Sequence, residues 1–197
     1  MINLLQFPRK GSRSYNHGTD LFHRTEELFR DGDPSAYIKR FSIRTITHNR
    51  CELRTSDEPL GDDVPVADFV IMGASGETAG YIIETDAPVT DRIEYDEDSI
   101  TSDADFSDKT IVQRSKTAFL AIEEVVALTK SLHYSAFPEV KKKWFFLKID
   151  LTVCLRDVSS ELFEVSVAQK LGERLTISDL SAGNEKIGRI YFGVPSE

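Results

Sequence analysis

Two stretches of this chain repeat their apolar residues with the period of a helix, and most other apolar runs repeat with the period of a strand. The first is "LFHRTEELF", Leu21 to Phe29; the second is "AFLAIEEVV", Ala118 to Val126. In "HGTDLFHRTEELFRDGD", Leu21, Phe22, Thr25, Leu28 and Phe29 share one helical face. His17 or Thr19 can start this helix, Asp20 suits its positive end, and "DGDP" stops it. The second helix is predicted to be capped by Ser115. Its stripe is Ala118, Phe119, Ile122, Val125, Val126, Thr129 and Leu132, and "SAFPEVKKK" ends it. A single amphipathic helix followed by several strands must bury its stripe on one face of a sheet. The expected class is therefore α+β, with a helix and an antiparallel sheet in layers.

The strands are legible by alternation. Ile2, Leu4, Leu5 and Phe7 form a short opening strand. From Tyr37 to Thr55 the pattern has period two. Phe41, Ile43, Thr45, Cys51 and Leu53 take one parity; Arg40, Arg44, His48, Arg50 and Arg54 take the other. This predicts one long strand, or two with a bulge near Ile46, carrying a basic face. "VADFVIMGA", "SGE" and "TAGYIIETD" read as a hairpin. Trp144 to Arg156 alternates throughout and places Trp144 and Phe146 on the outer parity, a face that a partner or an apolar ligand would cover. "ELFEVSVAQKLGERLTISDL" turns near Leu171-Gly172, "SAGNE" turns again, and "KIGRIYFGV" closes the chain.

Both halves thus read helix, long strand, strand, strand. The helices match at an offset of 97 (Phe22 with Phe119), the long strands at 102 (Leu53 with Leu155) and the closing strands at 108 (Gly80 with Gly188). Loop insertions in a second copy would produce such a drift. The predicted organisation is a first unit over 1–88, an acidic solvated connection over 89–112 and a second unit over 113–197, the two possibly fused in one domain.

Composition narrows the function classes. Net charge is −9, from 33 acidic and 24 basic residues. Such acidity argues against a dedicated nucleic-acid binder, whose phosphate contacts need basic surface. No apolar run approaches the ~20 residues of a bilayer span. Cys51 and Cys154 have no metal-ligand spacing, so no metal centre is expected, and two buried thiols suit a cytoplasmic protein. No cofactor-binding motif is present.

Four residues are candidates for acid–base chemistry. His17 precedes a helix N-terminus, where backbone N–H groups and the dipole favour an anion or a developing oxyanion. Asp20, one turn in, can orient His17 or act as a base; both can equally be mere caps. Glu123 and Glu124 would gain raised pKa values if pushed into an apolar sheath, or remain solvated beside the stripe. Arg44, His48 and Arg50 on the basic strand suit a phosphate or an acidic protein, and Trp144 suits an apolar ligand. His133, near the end of the second helix, reads as a cation favoured at a helix C-terminus.

The layout carried by "GTDLFHRTEELF", "SKTAFLAIEEVVALTK" and the strands after each resembles a double hotdog, a long helix wrapped by a curved antiparallel sheet, twice. The resemblance spans nearly the whole chain and rests on architecture, without a family motif. In hotdog dehydratases of similar layout a histidine before one helix meets an acidic residue on the other unit's helix. The resemblance thus implies His17 with Glu123 or Glu124, in a site between the halves that binds or processes acyl thioesters of coenzyme A or an acyl-carrier protein. The chain departs from those dehydratases in having "YNHGTDLF" where they have a Pro- and Gly-rich approach to the helix. The alternative expectation is a non-catalytic protein that binds a partner, or a second copy of itself as a homodimer, through a sheet face.

Overall fold

The structure, a computed structural model, describes residues 3–58 and 60–194; Ile2 of the expected first strand lies outside them. The chain divides after Tyr95 into two compact units. Each is α+β, one long helix with an antiparallel sheet. Among the described residues no helix is long and apolar enough to cross a membrane.

The first unit contains β1 (Asn3–Leu5), β2 (Arg9–Lys10), α1 (Gly18–Arg30), β3 (Tyr37–Ile43), β4 (Asn49–Thr55), β5 (Pro65–Gly73), β6 (Gly76–Pro88) and β7 (Arg92–Ile93). Its sheet runs β1-β4-β6-β5-β3, every neighbour antiparallel, and β2 pairs separately with β7 in parallel. α1 buries Leu21, Phe22 and Thr25. The Phe22 ring meets Phe41 edge-on at 5.6 Å, and Phe29 meets Phe69 in the same way at 5.6 Å. Edge-to-face pairs of this kind add ~0.5–1.5 kcal/mol to what their burial contributes. Glu26 is also buried and accepts the Ile38 N–H at 3.5 Å, whereas Glu27 lies outside with Arg24.

The second unit contains α2 (Glu97–Thr101), β8 (Asp105–Ser107), β9 (Thr110–Val112), α3 (Ala121–Ala136), β10 (Phe145–Leu151), β11 (Phe163–Leu171), β12 (Leu175–Ala182) and β13 (Glu185–Gly193). Its sheet runs β10-β13-β12-β11-β9-β8, also antiparallel. α3 buries an unbroken run from Ile122 to Thr129, then Leu132 and His133.

Several expectations change. The acidic stretch 89–112 is not a solvated connection: β7, α2, β8 and β9 all fall in it, and Ile100 and Ile111 are fully buried. Tyr37–Thr55 is two strands that are not sheet neighbours, because β3 pairs with β5 while β4 lies between β1 and β6. The alternation from Trp144 is interrupted by a register shift between Phe146 and Lys148. A bulge there resets the parity, so that Trp144 and Phe146 turn inward with Ile149 and Leu151. Trp144 is 1% exposed and does not sit on an outer face. α3 begins at Ala121, after Ser115 and Phe119.

The two units repeat the order of their elements but not their sheet. In the first, the closing hairpin places β5 against β3 and β6 against β4. In the second it is turned over: β13 lies against β10 and β12 against β11. The "LR" match at Leu155-Arg156 falls in a turn, not a strand, and the two Glu-Glu pairs sit at different turns of their helices. The closing-strand match does survive. Gly80 on β6 and Gly188 on β13 both leave no room for a side chain. A Cβ would come within 2.4 Å of the Arg54 carbonyl oxygen at Gly80 and 2.2 Å of the Asp150 carbonyl oxygen at Gly188.

Candidate functional site

The densest group of buried polar side chains in the first unit gathers where the chain enters α1. Lys10, Asn16, His17, Thr19 and Asp20 are each 9% exposed or less. His17 is the N-cap residue, in extended conformation, and its carbonyl accepts the Asp20 N–H at 2.9 Å. Its side chain does not cap the helix; Nδ1 lies 2.6 Å from Thr19 Oγ1. Lys10 Nζ donates to the same Oγ1 at 3.2 Å and pairs with Asp20 Oδ1 at 2.5 Å. An ammonium has only donors, so the Thr19 hydroxyl accepts from Lys10. Lys10 and Arg13 both lie over the Tyr95 ring, at 5.1 and 5.2 Å, and the His17 ring lies 5.7 Å from it.

Asn16 fixes the loop before His17. Its Nδ2 donates to Thr47 Oγ1 at 2.9 Å and to the Asn49 carbonyl at 2.6 Å, tying the loop to the start of β4. Its Oδ1 is buried and accepts no hydrogen bond among the described residues. A buried acceptor without a donor costs ~1–3 kcal/mol. Chemically, the cluster sets an imidazole at the positive end of a helix, linked to a hydroxyl, an ammonium and a carboxylate. Groups of these types at the start of a helix are able to polarise a carbonyl or move a proton.

The other predicted residues fall elsewhere. Glu123 and Glu124 are buried in the second unit, not solvated. Glu123 Oε2 accepts the Leu120 N–H at 2.9 Å, closing the first turn of α3. Glu124 Oε1 accepts from Gln113 Nε2 at 2.8 Å, from the Thr117 N–H at 3.0 Å and from Thr117 Oγ1 at 2.8 Å, while Oε2 pairs with Lys116. Its lone pairs are used to anchor residues 113–117, which gives Glu124 a structural role.

The basic face does not exist as one surface, since its residues lie on separate strands. Arg44 pairs with Asp68 at 2.9 Å, and Arg54 pairs with Glu52 at 2.7 Å and Asp63 at 3.0 Å. His48 Nδ1 donates to the Ser14 carbonyl at 2.9 Å. Arg50 lines a small cleft. Trp144 packs against His133 with ring centroids 4.7 Å apart.

His133 is not a helix-terminal cation. It is fully buried, and desolvation drives its pKa down to about 4 despite a hydrogen bond to the Thr129 carbonyl. Nδ1–H donates to that carbonyl, and Nε2 accepts from the Thr176 hydroxyl. Burial likewise pushes the Cys51 thiol up to about 12.

Lys10, Asn16 and Thr19 were not legible as neighbours of His17 in this cluster. Lys10 lies in a two-residue strand too short for any periodicity, and Thr19 sits on the helix face read as a cap. Among the described residues no group of three or more His, Cys, Asp or Glu side chains could hold a metal ion.

No protein-family model matches the chain, and no curated protein matches it in sequence. Solved structures match its fold. One is the pyran synthase domain from module nine of the sorangicin pathway, at 10% identity and a TM-score of 0.51, over 100% of this chain and 93% of that one. Another is a TesB protein of Mycobacterium avium subsp. paratuberculosis, at 8% identity and a TM-score of 0.53, over 99% of this chain and 93% of that one. Likeness at such identity is a likeness of architecture, and no residue role is carried across. With one helix-and-sheet unit in each half, the chain is a hotdog-fold protein.

Proposed function

We propose that this protein binds or processes acyl thioesters, carried by coenzyme A or an acyl-carrier protein, with His17 as the group that meets the thioester carbonyl. The observation that carries the reading is the buried chain His17–Thr19–Lys10–Asp20 at the start of α1. The His17 imidazole donates a proton to the carbonyl oxygen, and the positive end of α1 stabilises the charge that develops there. Asp20 holds Lys10 in place, and Lys10 donates to the Thr19 hydroxyl beside His17. The hotdog architecture supports the choice of substrate class, as the resemblance to hotdog dehydratases implies.

The test is ligand-dependent stability and turnover. Acetyl- and longer acyl-coenzyme A species are expected to raise the melting temperature, with ~2.7 kcal/mol of stabilisation at a hundred times Kd. His17→Ala is expected to lower thioester turnover by ~100-fold or more while the protein stays folded. If no acyl-coenzyme A or acyl-pantetheine species shifts the melting temperature, the reading fails, and the alternative of a non-catalytic partner-binding protein replaces it.

A further inference from the structure

The first unit has a cleft of about 160 Å³ lined by Gln6, Phe7, Pro8, Arg50, Val89, Thr90 and Asp91. It opens where the β4–β6 ladder breaks. Asn49 pairs with Pro88 and Cys51 with Glu84, so three residues of β6 stand opposite Arg50 alone. A bulge of this kind bends the strand and re-aims a side chain. The Thr85 hydroxyl holds the irregularity by donating to the Arg50 carbonyl at 3.0 Å.

Arg50 is half-buried, and its guanidinium makes no hydrogen bond or ion pair among the described residues. This is unusual for its surroundings, since Arg44 and Arg54 both hold carboxylates. Carboxylates are present nearby but do not serve Arg50. Glu84 Oε1 is taken by the backbone N–H groups of His48 and Asn49, at 2.5 and 2.6 Å. Asp86 and Asp91 are exposed, and neither forms an ion pair among the described residues. A second cation stands beside the cleft. Arg9 follows Pro8, its N–H donates to the Asp91 carbonyl at 2.9 Å, and its guanidinium reaches the His48 carbonyl at 2.8 Å. Its Nε is buried without an acceptor, so its charge is only partly compensated.

We propose that this cleft is a binding site for a compact phosphate group, with Arg50 making the direct bidentate contact and Arg9 adding field. A guanidinium fork matches two phosphate oxygens. Two cations match the double charge of a phosphate monoester better than the single charge of a carboxylate. Asp91 also lines the cleft, and its carboxylate opposes more than one phosphate group there. Phe7, Pro8 and Val89 supply an apolar wall for whatever bears the phosphate. The site involves none of the residues of the His17 cluster and does not rest on the acyl-thioester reading.

Isothermal titration at low salt with inorganic phosphate, adenosine 3′,5′-bisphosphate and acetate tests it. Saturable binding of both phosphates is expected, with acetate at least tenfold weaker. Tighter binding of the bisphosphate identifies a nucleotide as the bearer; equal binding identifies free phosphate. Arg50→Ala is expected to weaken phosphate binding by tenfold or more, Arg50→Lys by less, and Arg156→Ala, in the other unit, not at all. Should Arg50→Ala fail to fold, Arg50→Gln and Arg50→Lys carry the same comparison. Absence of saturable phosphate binding, or equal affinity in the wild type and the Arg50 variants, overturns the proposal. Phosphate binding that persists in His17→Ala separates this site from the thioester reading, whichever of the two fails.

Discussion

Acid should loosen the second unit through one residue. His133 lies neutral between the rings of Trp144 and Phe192, at 4.7 and 5.3 Å, with both ring nitrogens engaged by Thr129 and Thr176. In the unfolded chain it takes up a proton near pH 6.5; in the folded chain it resists until about pH 4. Between those values the unfolded state binds more protons. Stability from this group is therefore fully present above pH 6.5 and is lost as the pH falls through the window. At about 1.4 kcal/mol per pKa unit, the loss amounts to about 3 kcal/mol. His133→Phe keeps an aromatic ring in the stack, and Thr176 can turn its hydroxyl to the Phe192 carbonyl at 3.4 Å. Urea unfolding followed by the fluorescence of Trp144, the single tryptophan, at several pH values between 7 and 4 should show the wild type losing about 3 kcal/mol more than the variant. The other three histidines are common to both proteins, so whatever they contribute cancels in the difference. Parallel pH dependence in the two proteins would refute the argument that burial holds His133 neutral.

Two further substitutions test the packing. Glu124→Ala removes the acceptor shared by Gln113 Nε2 and Thr117 and leaves the half-buried Lys116 only Gln113 Oε1 at 3.5 Å, a loss expected to cost ~1–3 kcal/mol in denaturant unfolding; no measurable change would show that the network is not structural. Gly188→Ala drives a methyl group to within 2.2 Å of the Asp150 carbonyl oxygen, and separation of β13 from β10 should lower stability by at least ~1–3 kcal/mol, read as a fall in melting temperature.

Much of the fold was legible because helices and hairpins are local. The 3.6-residue stripe of α1 and the turn at Gly172, where φ is +61°, follow from neighbouring residues. Which strands pair is decided at long range, and no local pattern separated β3 from β4 or showed that β6 would insert between β4 and β5. The Trp144 parity failed for a related reason: one bulged residue inverts every side chain after it. In the candidate cluster before α1, His17 and Asp20 stood out by residue type and position. Their linkage through Lys10 and Thr19 depends on a tertiary contact, which sequence spacing cannot carry. The Glu-Glu pairs misled because identical letters occupied different turns of the two helices.

The turned-over hairpin gives the units different folding problems. In the second, β11, β12 and β13 form a meander in which each strand pairs with the next, so loops of two or three residues close most of the sheet. In the first, only β5 and β6 are both consecutive and paired, and β4 must wait for β6 to arrive from beyond β5. Closing such a contact expends chain entropy before any pairing rewards it, which slows the search. The ribosome releases the slower unit first. The N-terminal half therefore spends the longest time with its strand edges open, and nascent-chain protection matters most for the segment between Tyr37 and Pro88.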